Sequence, residues 1–406
     1  MINQLLNLLK RKDFSILFIG QFISKMGSAI NTIGLSLCVL KFDNPVLGMG
    51  TLSLLLAIPW IIFGPIAGVF ADRYSKKQTI IVCDIIRGLL SLTLFFTKDI
   101  VLFYSIVFLM TIFDVIFSPA ISGFLPFVID KADLKSANSI YSGSGELAYL
   151  IGPAIGGFLV ASFGVGMVFI VNAISYILSG IAEMFIVSPG YINKNKNEKI
   201  STFLEMKQGF IYAKNHNTIV FVILFFAGAS AVLGGLPILC SNYIVNELGA
   251  SDQVYGIFIS IKSIGSMIGA LLLPKALNRI KELPMMILGT GIYGGLFILF
   301  SAWRWIPYSV GIYFFIGFIA SFINVTYGIF LQKNVDKEYI GRVFSFDMSL
   351  SNFTMVTSIV FVTFNGNFLG TQNLMIMYAV AIILISLIGL VVMKKLKLND
   401  IDKALS

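Results

Sequence analysis

Charged residues are scarce in this sequence. Asp, Glu, Lys and Arg make up 12% of its 406 residues, and hydrophobic residues make up 57%, whereas soluble domains carry about 25% charged residues. This composition excludes a water-soluble globular surface. The apolar runs are also long enough to cross a bilayer, which takes roughly 20 residues. The sequence therefore predicts an integral membrane protein.

Histidine and cysteine are also rare, with one His and three Cys. His216 lies in a polar loop and the cysteines fall in separate apolar runs, so neither a metal cluster nor a Ser-His-Asp site has the residues it needs. The phosphate-binding motif G-x-x-x-x-G-K-[ST] does not occur. We expect no enzyme activity, no cofactor and no metal, and any energy input must come from an ion gradient or from a substrate's own gradient.

Twelve apolar runs predict twelve transmembrane helices, because backbone groups facing lipid must be satisfied within their own segment and these runs do not alternate as barrel strands do. The predicted spans lie at residues 14–41, 46–70, 79–97, 100–129, 139–162, 167–187, 218–246, 253–274, 284–302, 306–331, 341–366 and 373–394. The predicted fold class is an all-α membrane protein with two six-helix bundles, 1–187 and 218–406, joined by a cytoplasmic linker at 188–217.

The basic residues indicate the orientation of the chain. If the N-terminus is cytoplasmic, 23 of the 29 Lys and Arg residues lie on the cytoplasmic side and three (Lys41, Lys98 and Arg304) on the other, which fits the positive-inside rule. We expect a multi-pass protein of the plasma membrane with both termini, including a short C-terminal tail, in the cytoplasm. The net charge of +9 then faces anionic lipid headgroups and needs no nucleic-acid partner.

The turn between spans 2 and 3 carries a charged motif, Gly68-x-x-x-Asp72-Arg73-x-Ser75-Lys76-Lys77. It resembles the G-x-x-x-D-R-x-G-R-R signature of the major facilitator superfamily, with Ser75 where glycine is usual. The resemblance implies the major facilitator fold, in which Asp72 contacts the start of span 11, here Gly341 and Arg342. A carboxylate is stabilised at a helix N-terminus. We expect a cytoplasmic latch made of Gly68, Asp72, Arg73, Lys76, Lys77 and Arg342.

Span 5 contains a second motif, Gly152-Pro153-x-x-Gly156-Gly157. It resembles the G-P-x-x-G-G motif that is associated with antiporters in the same superfamily. Glycine removes side-chain bulk and proline removes a backbone donor, so a bend and a close contact with the opposite half are expected, with ordinary helix packing as the alternative. Other stretches, among them "NVDKEYIGRVFSF", resemble the drug/proton antiporter branch that includes macrolide-efflux-like proteins and siderophore exporters.

Polar residues within the spans mark a candidate substrate path, because polar groups in the hydrocarbon region are costly unless they are paired or face water. The resemblance implies that spans 1, 4, 7 and 10 surround this path. We expect the following residues to line a cavity, with a polar seam between helices as the alternative: Gln21, Ser24, Lys25, Ser28 and Asn31 of span 1, Asp114 and Ser118 of span 4, and Asn324 of span 10.

Charged residues within the spans are candidates for proton coupling. A contact between Glu146 and Lys262 or Lys25 that breaks during transport would favour proton uptake by the carboxylate, since a nearby ammonium lowers its pKa. A static ion pair is the alternative, and Asp114 and Asp347 are rival carriers. Asp84 and Arg87 are three residues apart and are expected to pair structurally. Span 1 contains no acid, unlike that of many proton antiporters.

The resemblance and the polar residues together predict a secondary active transporter. We expect proton-coupled efflux of a hydrophobic or amphipathic small molecule, such as a drug, a macrolide-like compound or a siderophore, by a monomer that alternates access between the two sides of the bilayer. The alternative is a lipid flippase or lysolipid transporter, which would move lipid without an ion gradient.

Overall fold

The structure is a computed structural model that describes residues 8–130, 133–188, 202–277, 281–336 and 339–405; within these ranges it describes only the backbone at 65–66, 68–73, 135, 202–207, 274–277 and 396–405. The described residues form two compact units. The first lies within Met1–Phe42, Thr51–Lys196 and Ser251–Ser260, and the second within Asp43–Gly50, Asn197–Ala250 and Ile261–Ser406. The start of span 2 thus groups with the second unit and the start of span 8 with the first.

Twelve helices of the described chain are long and apolar enough to cross a membrane, which confirms the predicted number. Spans 1 to 6 are Lys12–Leu40, Pro45–Arg73, Lys76–Phe96, Ile100–Val128, Leu134–Phe163 and Val165–Met184. Span 7 begins at Asn217, and spans 8 to 12 are Asp252–Leu277, Glu282–Ala302, Ile306–Asn334, Ile340–Leu369 and Thr371–Leu405. The predicted boundaries differ from these most where helices continue beyond the apolar run into polar ends.

Span 7 is one span, Asn217–Glu247, as its apolar run predicts, but its helix changes hydrogen-bonding pattern along its length. An α-helix, Asn217–Leu233, is followed by a short α-helix, Leu236–Asn242, and then by a π-helix, Tyr243–Glu247. Between the two α-helices, Gly234 and Gly235 keep helical dihedral angles, with φ −58° and ψ −36° at Gly234 and φ −84° and ψ −18° at Gly235. A Cβ on Gly234 would lie 2.5 Å from the carbonyl oxygen of Met355, so this glycine allows close packing against span 11.

Span 1 packs closely on span 6 through glycines spaced seven residues apart. A Cβ on Gly27 would lie 1.9 Å from the Ser175 hydroxyl, and one on Gly34 would lie 2.7 Å from the Val168 side chain. Without Cβ atoms, two helix backbones can approach closely, as is common between membrane helices. This packing fixes which face of span 1 turns toward span 6, and it therefore positions the polar residues of span 1.

The linker between the predicted bundles contains a further helix, Thr202–Lys214, which we call the linker helix. It packs on the second unit at the start of span 11. A Cβ on Gly209 would lie 2.1 Å from the carbonyl oxygen of Arg342, and the ring of Tyr212 stacks on Tyr339 with 4.7 Å between centroids. The linker helix is therefore an anchored element of the second unit.

Replacing Gly209 by valine is expected to release the linker helix, because the new Cβ would meet a backbone carbonyl that cannot rotate away. Overpacking of this kind costs about 1–3 kcal/mol, so trypsin cleavage of the linker should become about fivefold faster or more. Limited proteolysis of the purified protein measures this rate. Gly328→Val is the control, since a Cβ on Gly328 meets no described atom within 4 Å; equal cleavage of the two variants would contradict the packing.

Candidate functional site

A buried polar cluster lies inside the first unit, and Gln21 of span 1 is at its centre. The Gln21 side-chain amide nitrogen lies 2.7 Å from Glu183 Oε1, 3.1 Å from Ser179 Oγ and 3.2 Å from Asp84 Oδ2. Only 2% of Gln21 is exposed. Gln21 was expected to line a cavity, but the structure places it in a polar seam among spans 1, 3 and 6, because the glycines of span 1 hold this face against span 6.

Arg87 of span 3 holds two carboxylates in the same cluster. Its guanidinium forms ion pairs with Asp84, as the spacing of three predicts, and with Asp114 of span 4. The rings of Phe117 and Tyr176 lie 4.1 and 4.4 Å from the guanidinium carbon, an arrangement in which the ring faces attract the cation. Asp84 is fully buried and the Arg87 side chain is 5% exposed, whereas 38% of the Asp114 side chain is exposed.

Glu183 of span 6 belongs to the cluster and is absent from the predicted candidates. It is fully buried, and its second carboxyl oxygen, Oε2, has no hydrogen-bond partner among the residues that the structure describes. One signal in the sequence points to it. Polar residues recur every three or four positions along one face of span 6, at Asn172, Ser175, Ser179 and Glu183, and this spacing is typical of a single helix face.

Lys25, one turn after Gln21, lies at the edge of the cluster. Its ammonium donates to the Tyr141 carbonyl oxygen at 2.7 Å and to Ser144 Oγ at 3.3 Å, and it lies 3.3 Å from the centre of the Tyr141 ring. Glu146 is exposed and close enough to interact electrostatically with Lys25. The hydrogen bonds of Lys25 nevertheless go to neutral groups of span 5.

The remaining polar residues of spans 1 and 4 are divided between buried and partly exposed positions. Ser24 and Asn31 are 3% and 6% exposed. Ser28 is partly buried and lies 2.9 Å from the Tyr176 hydroxyl, so it also faces span 6. Ser118 of span 4 is partly exposed. Among the predicted residues of spans 1 and 4, those with exposed surface for a ligand are Lys25, Ser28, Asp114 and Ser118.

In the second unit the predicted residues lie apart. Asn324 is exposed and its amide donates to the Ala320 carbonyl at 3.0 Å. Lys262 has its ammonium 5.7 Å from the centre of the Tyr313 ring. Asp347 is 5% exposed, and its Oδ1 has no hydrogen-bond partner among the described residues. A pairing of Lys262 with Glu146 would join residues of different units and stays a prediction.

The loop motif falls partly outside the described residues, since the structure does not describe the side chains of Gly68, Asp72 and Arg73. Ser75, which replaces the usual glycine, is the N-cap of span 3, and its hydroxyl accepts from the Gln78 N–H at 3.4 Å. Serine is a favourable N-cap because it satisfies a free N–H. The departure from the usual motif therefore has a local structural role.

The basic residues of the motif that are described bind within the first unit. The Lys77 ammonium donates to the Ile186 carbonyl at 2.6 Å and to the Met184 carbonyl at 3.2 Å, where a cation stabilises the C-terminus of span 6. The Lys76 side chain packs against Gly123. In the second unit, the Arg342 guanidinium lies 5.2 Å from the centre of the Tyr339 ring. The latch itself stays a prediction.

The glycines of the span 5 motif allow close contacts with two different helices. A Cβ on Gly152 would lie 2.5 Å from Ala29 Cβ of span 1, and one on Gly157 would lie 2.5 Å from the Asp252 carbonyl at the start of span 8. Gly156 likewise faces span 1, with 2.9 Å from its ideal Cβ to the Ile30 carbonyl. All three contacts lie within the first unit; those of Gly152 and Gly156 go to span 1 and that of Gly157 goes to the start of span 8, and the role of the motif between the two halves stays a prediction.

Pro153 changes the hydrogen bonding of span 5 at the same place. A proline inside a helix lacks an N–H and disturbs the helix hydrogen bonds around it. The next backbone N–H, that of Ala154, donates to the Ser260 hydroxyl at 3.0 Å. Span 8 therefore satisfies a donor that the proline leaves available. No group of three or more His, Cys, Asp or Glu side chains able to hold a metal occurs among the described residues.

Comparison with known proteins agrees with the fold. A profile of the Major Facilitator Superfamily matches residues 17–359. The chain is 24% identical to YfiS, an uncharacterized MFS-type transporter of Bacillus subtilis (strain 168), over 94% of this chain and 93% of that one. It is 22% identical to macrolide efflux protein A of Streptococcus pyogenes, with 92% and 94% covered, and 25% identical to the staphyloferrin A transporter of Staphylococcus aureus (strain NCTC 8325 / PS 47), with 82% and 84% covered.

A solved structure supports the fold independently. The crystal structure of a mutant of the nucleoside transporter NupG superposes with a TM-score of 0.76 at 14% identity, and the match covers 93% of this chain and 98% of that one. At this identity the likeness concerns the fold alone. Because the profile spans most of a chain that also has the twelve helices of this fold, the protein belongs to the major facilitator superfamily and is a multi-pass membrane transporter.

Proposed function

We propose that this transporter exports a hydrophobic or amphipathic small molecule in exchange for protons, by alternating access. The observation that carries the proposal is the pairing of Asp114 with Arg87. A partly exposed carboxylate is bound to a buried guanidinium that also holds a second, fully buried carboxylate, Asp84. Asp114 can therefore take up a proton from water while the buried cation keeps a partner.

Protonation of Asp114 would change the forces within the first unit. Neutral Asp114 loses most of its attraction for Arg87, because the attraction between unlike charges in a partly buried pair is strong and disappears when one charge is removed. Arg87 then pairs with Asp84 alone, and span 4 is no longer tied electrostatically to span 3. This change in the contact between spans 3 and 4 is the step that we propose couples proton uptake to transport.

The other predicted carriers have weaker support from their surroundings. Glu146 is exposed, and the nearby Lys25 is hydrogen bonded to Tyr141 and Ser144 instead. Asp347 is buried and forms no ion pair among the described residues. We therefore rank Asp114 first, and we keep Glu146, Asp347 and Lys262 as candidates for the same role.

The substrate class is supported by the residues and by the relatives. Lys25, Asp114 and Ser118 offer polar groups among largely apolar helices, which suits a ligand with both polar and apolar parts. The similar proteins include a macrolide efflux protein and a staphyloferrin A transporter. We further propose that the chain acts as a monomer in the plasma membrane with both termini in the cytoplasm.

Proteoliposomes given a pH step test the proposal, with a panel of macrolides, lipophilic dyes and chelators as probes. We expect at least one compound to move only when the pH gradient is present, and Asp114→Asn to reduce this flux to that of empty vesicles. Asp99→Asn is the matched control on span 4, because Asn can replace Asp99 as the cap that accepts from the Leu102 N–H at 2.8 Å.

Two results would reject this function. If the flux of the transported compound is the same with and without the gradient, the coupling is wrong. If instead a fluorescent phospholipid crosses the bilayer without any gradient and no panel compound moves, the alternative of a lipid flippase replaces the exporter.

A further inference from the structure

Glu183 is a fully buried carboxyl group that has no cation of its own among the described residues. In the described part of the chain, Arg87 is the one guanidinium in the cluster, and both of its ion pairs go to other acids, Asp84 and Asp114. Glu183 Oε1 accepts from the Gln21 amide at 2.7 Å, while Oε2 is buried without a described partner. Among the side chains that the structure describes, the three carboxyl groups of Asp84, Asp114 and Glu183 therefore share the charge of one guanidinium.

The described groups that face Glu183 from neighbouring helices do not supply the missing charge. From span 1 come Gln21, which is neutral, and Lys25, whose ammonium is bound to Tyr141 and Ser144. Tyr141 of span 5 has its hydroxyl 3.5 Å from Gln21 Oε1, and Tyr176 of span 6 stacks on Arg87. The groups on span 3 are Cys83, Asp84 and Arg87.

A charged Glu183 would be costly in these surroundings. An ion removed from water without an opposite charge costs several kcal/mol even after the protein relaxes, and a nearby carboxylate adds repulsion. Glu183 Oε1 and Asp84 Oδ2 both contact the same Gln21 nitrogen, so they lie within about 6 Å of each other. Two carboxylates at this distance in a closed site are expected to keep a proton.

We propose that Glu183 is an occluded proton-binding site, in which its carboxyl group carries a proton at neutral pH while Asp84 stays ionised against Arg87. Gln21 connects the two acids. Its amide nitrogen contacts Asp84 Oδ2 and Glu183 Oε1, so a protonated Glu183 keeps its hydrogen bond from Gln21 while the same amide stabilises the charge of Asp84.

The transport role of this site rests on the proposed function. Asp114 exchanges protons with water, and Arg87 links it to Asp84 and, through Gln21, to Glu183. When Asp114 is neutral, Arg87 compensates Asp84 fully. When Asp114 is charged, Arg87 is shared between Asp84 and Asp114, and Glu183 holds its proton more firmly. Glu183 thus forms the inner proton site, and Asp114 forms the outer one.

Infrared spectroscopy of the full chain in liposomes tests the site without any substrate. A buried protonated carboxyl group gives a C=O stretching band that ionised carboxylates lack. We expect this band at neutral pH in the wild type, its loss in Glu183→Gln, and its persistence in Glu282→Gln, the control, since Glu282 pairs with Lys333 and is 23% exposed. Absence of the band in the wild type, or its persistence in Glu183→Gln, would overturn the proposal.

A second variant covers the case in which Glu183→Gln does not fold. Gln21→Leu removes the hydrogen bond to the Glu183 carboxyl and should shift the band to higher frequency while keeping its intensity. An unchanged band in Gln21→Leu would show that the proton lies elsewhere and would equally overturn the proposal.

Deuterium exchange of the band separates this inference from the proposed function. We expect slow exchange at rest and faster exchange when a transported compound from the panel is present with a pH gradient. A Glu183 band together with gradient-independent flux would reject proton coupling and leave the proton site in place. Coupled flux without a Glu183 band would support proton coupling and reject the proton site at Glu183.

Discussion

Replacing Arg87 by methionine is expected to destabilise the protein by about 3–5 kcal/mol, because removal of one partner from a buried ion pair leaves an uncompensated charge. The Asp84 side chain is fully buried and the Arg87 side chain is 5% exposed. Methionine fills a similar volume, so the loss comes chiefly from the charge. The melting temperature and the yield of monodisperse protein in detergent measure the effect.

A second substitution separates the charge from the packing. Arg87→Met combined with Asp84→Asn should recover most of the lost stability, since no unpaired buried charge remains beside residue 87. Arg304→Met is the matched control, because the Arg304 side chain is 58% exposed in its pair with Glu247, and exposed pairs contribute about 0–1 kcal/mol. If Arg87→Met and Arg304→Met lose similar stability, the buried pair of Arg87 and Asp84 does not stabilise the first unit as described.

Replacing Gly256 by valine is expected to destabilise the first unit by about 1–3 kcal/mol or more and to stop transport, because it forces apart the start of span 8 and span 5. A Cβ on Gly256 would lie 2.3 Å from the Pro153 carbonyl oxygen and 3.1 Å from Gly157 Cα. Both are backbone atoms, so no side-chain rotation can relieve the overlap. Melting temperature and vesicle flux report the two effects.

Gly143→Val is the control for this prediction, since Gly143 lies on span 5 and an added Cβ there meets nothing within 4 Å. Gly157→Ala should also be harmful, and its effect should not add to that of Gly256→Val, because both act on one contact between the same helices. If Gly256→Val keeps the same melting temperature and flux as Gly143→Val, the close approach of spans 5 and 8 is contradicted.

Much of the fold could be predicted because its signals are local in the sequence. Each span is a continuous apolar run, so hydropathy alone gives the number of helices. The pairing of Asp84 with Arg87 was likewise predictable, since residues three apart lie on one helix face. The change in hydrogen-bonding pattern within span 7 was harder to foresee, because Gly234 and Gly235 are equally compatible with a regular, closely packed membrane helix.

The polar cluster was less predictable. Gln21 was expected to face a cavity, with a polar seam between helices as the alternative, and it lies in such a seam between spans 3 and 6. Glu183 was overlooked, although it lies on the same helix face as Ser175 and Ser179. Membrane spans are apolar on nearly every side, so hydropathy does not reveal which face of a helix turns toward lipid and which toward its neighbours. The spacing of polar residues identifies one face of a helix, but it does not identify the neighbouring helix that this face packs against.

The amino-acid sequence by itself determined that this chain crosses a membrane twelve times and that a few charges lie within apolar helices. It also contains the two motifs, one in the loop between spans 2 and 3 and one in span 5. Only the tertiary structure decided that Arg87 meets Asp114, 27 residues away, and that Gln21 meets Glu183, 162 residues away. The reason is that such contacts depend on the rotation of each helix about its own axis, and glycines in close helix contacts fix that rotation only once the helices are assembled.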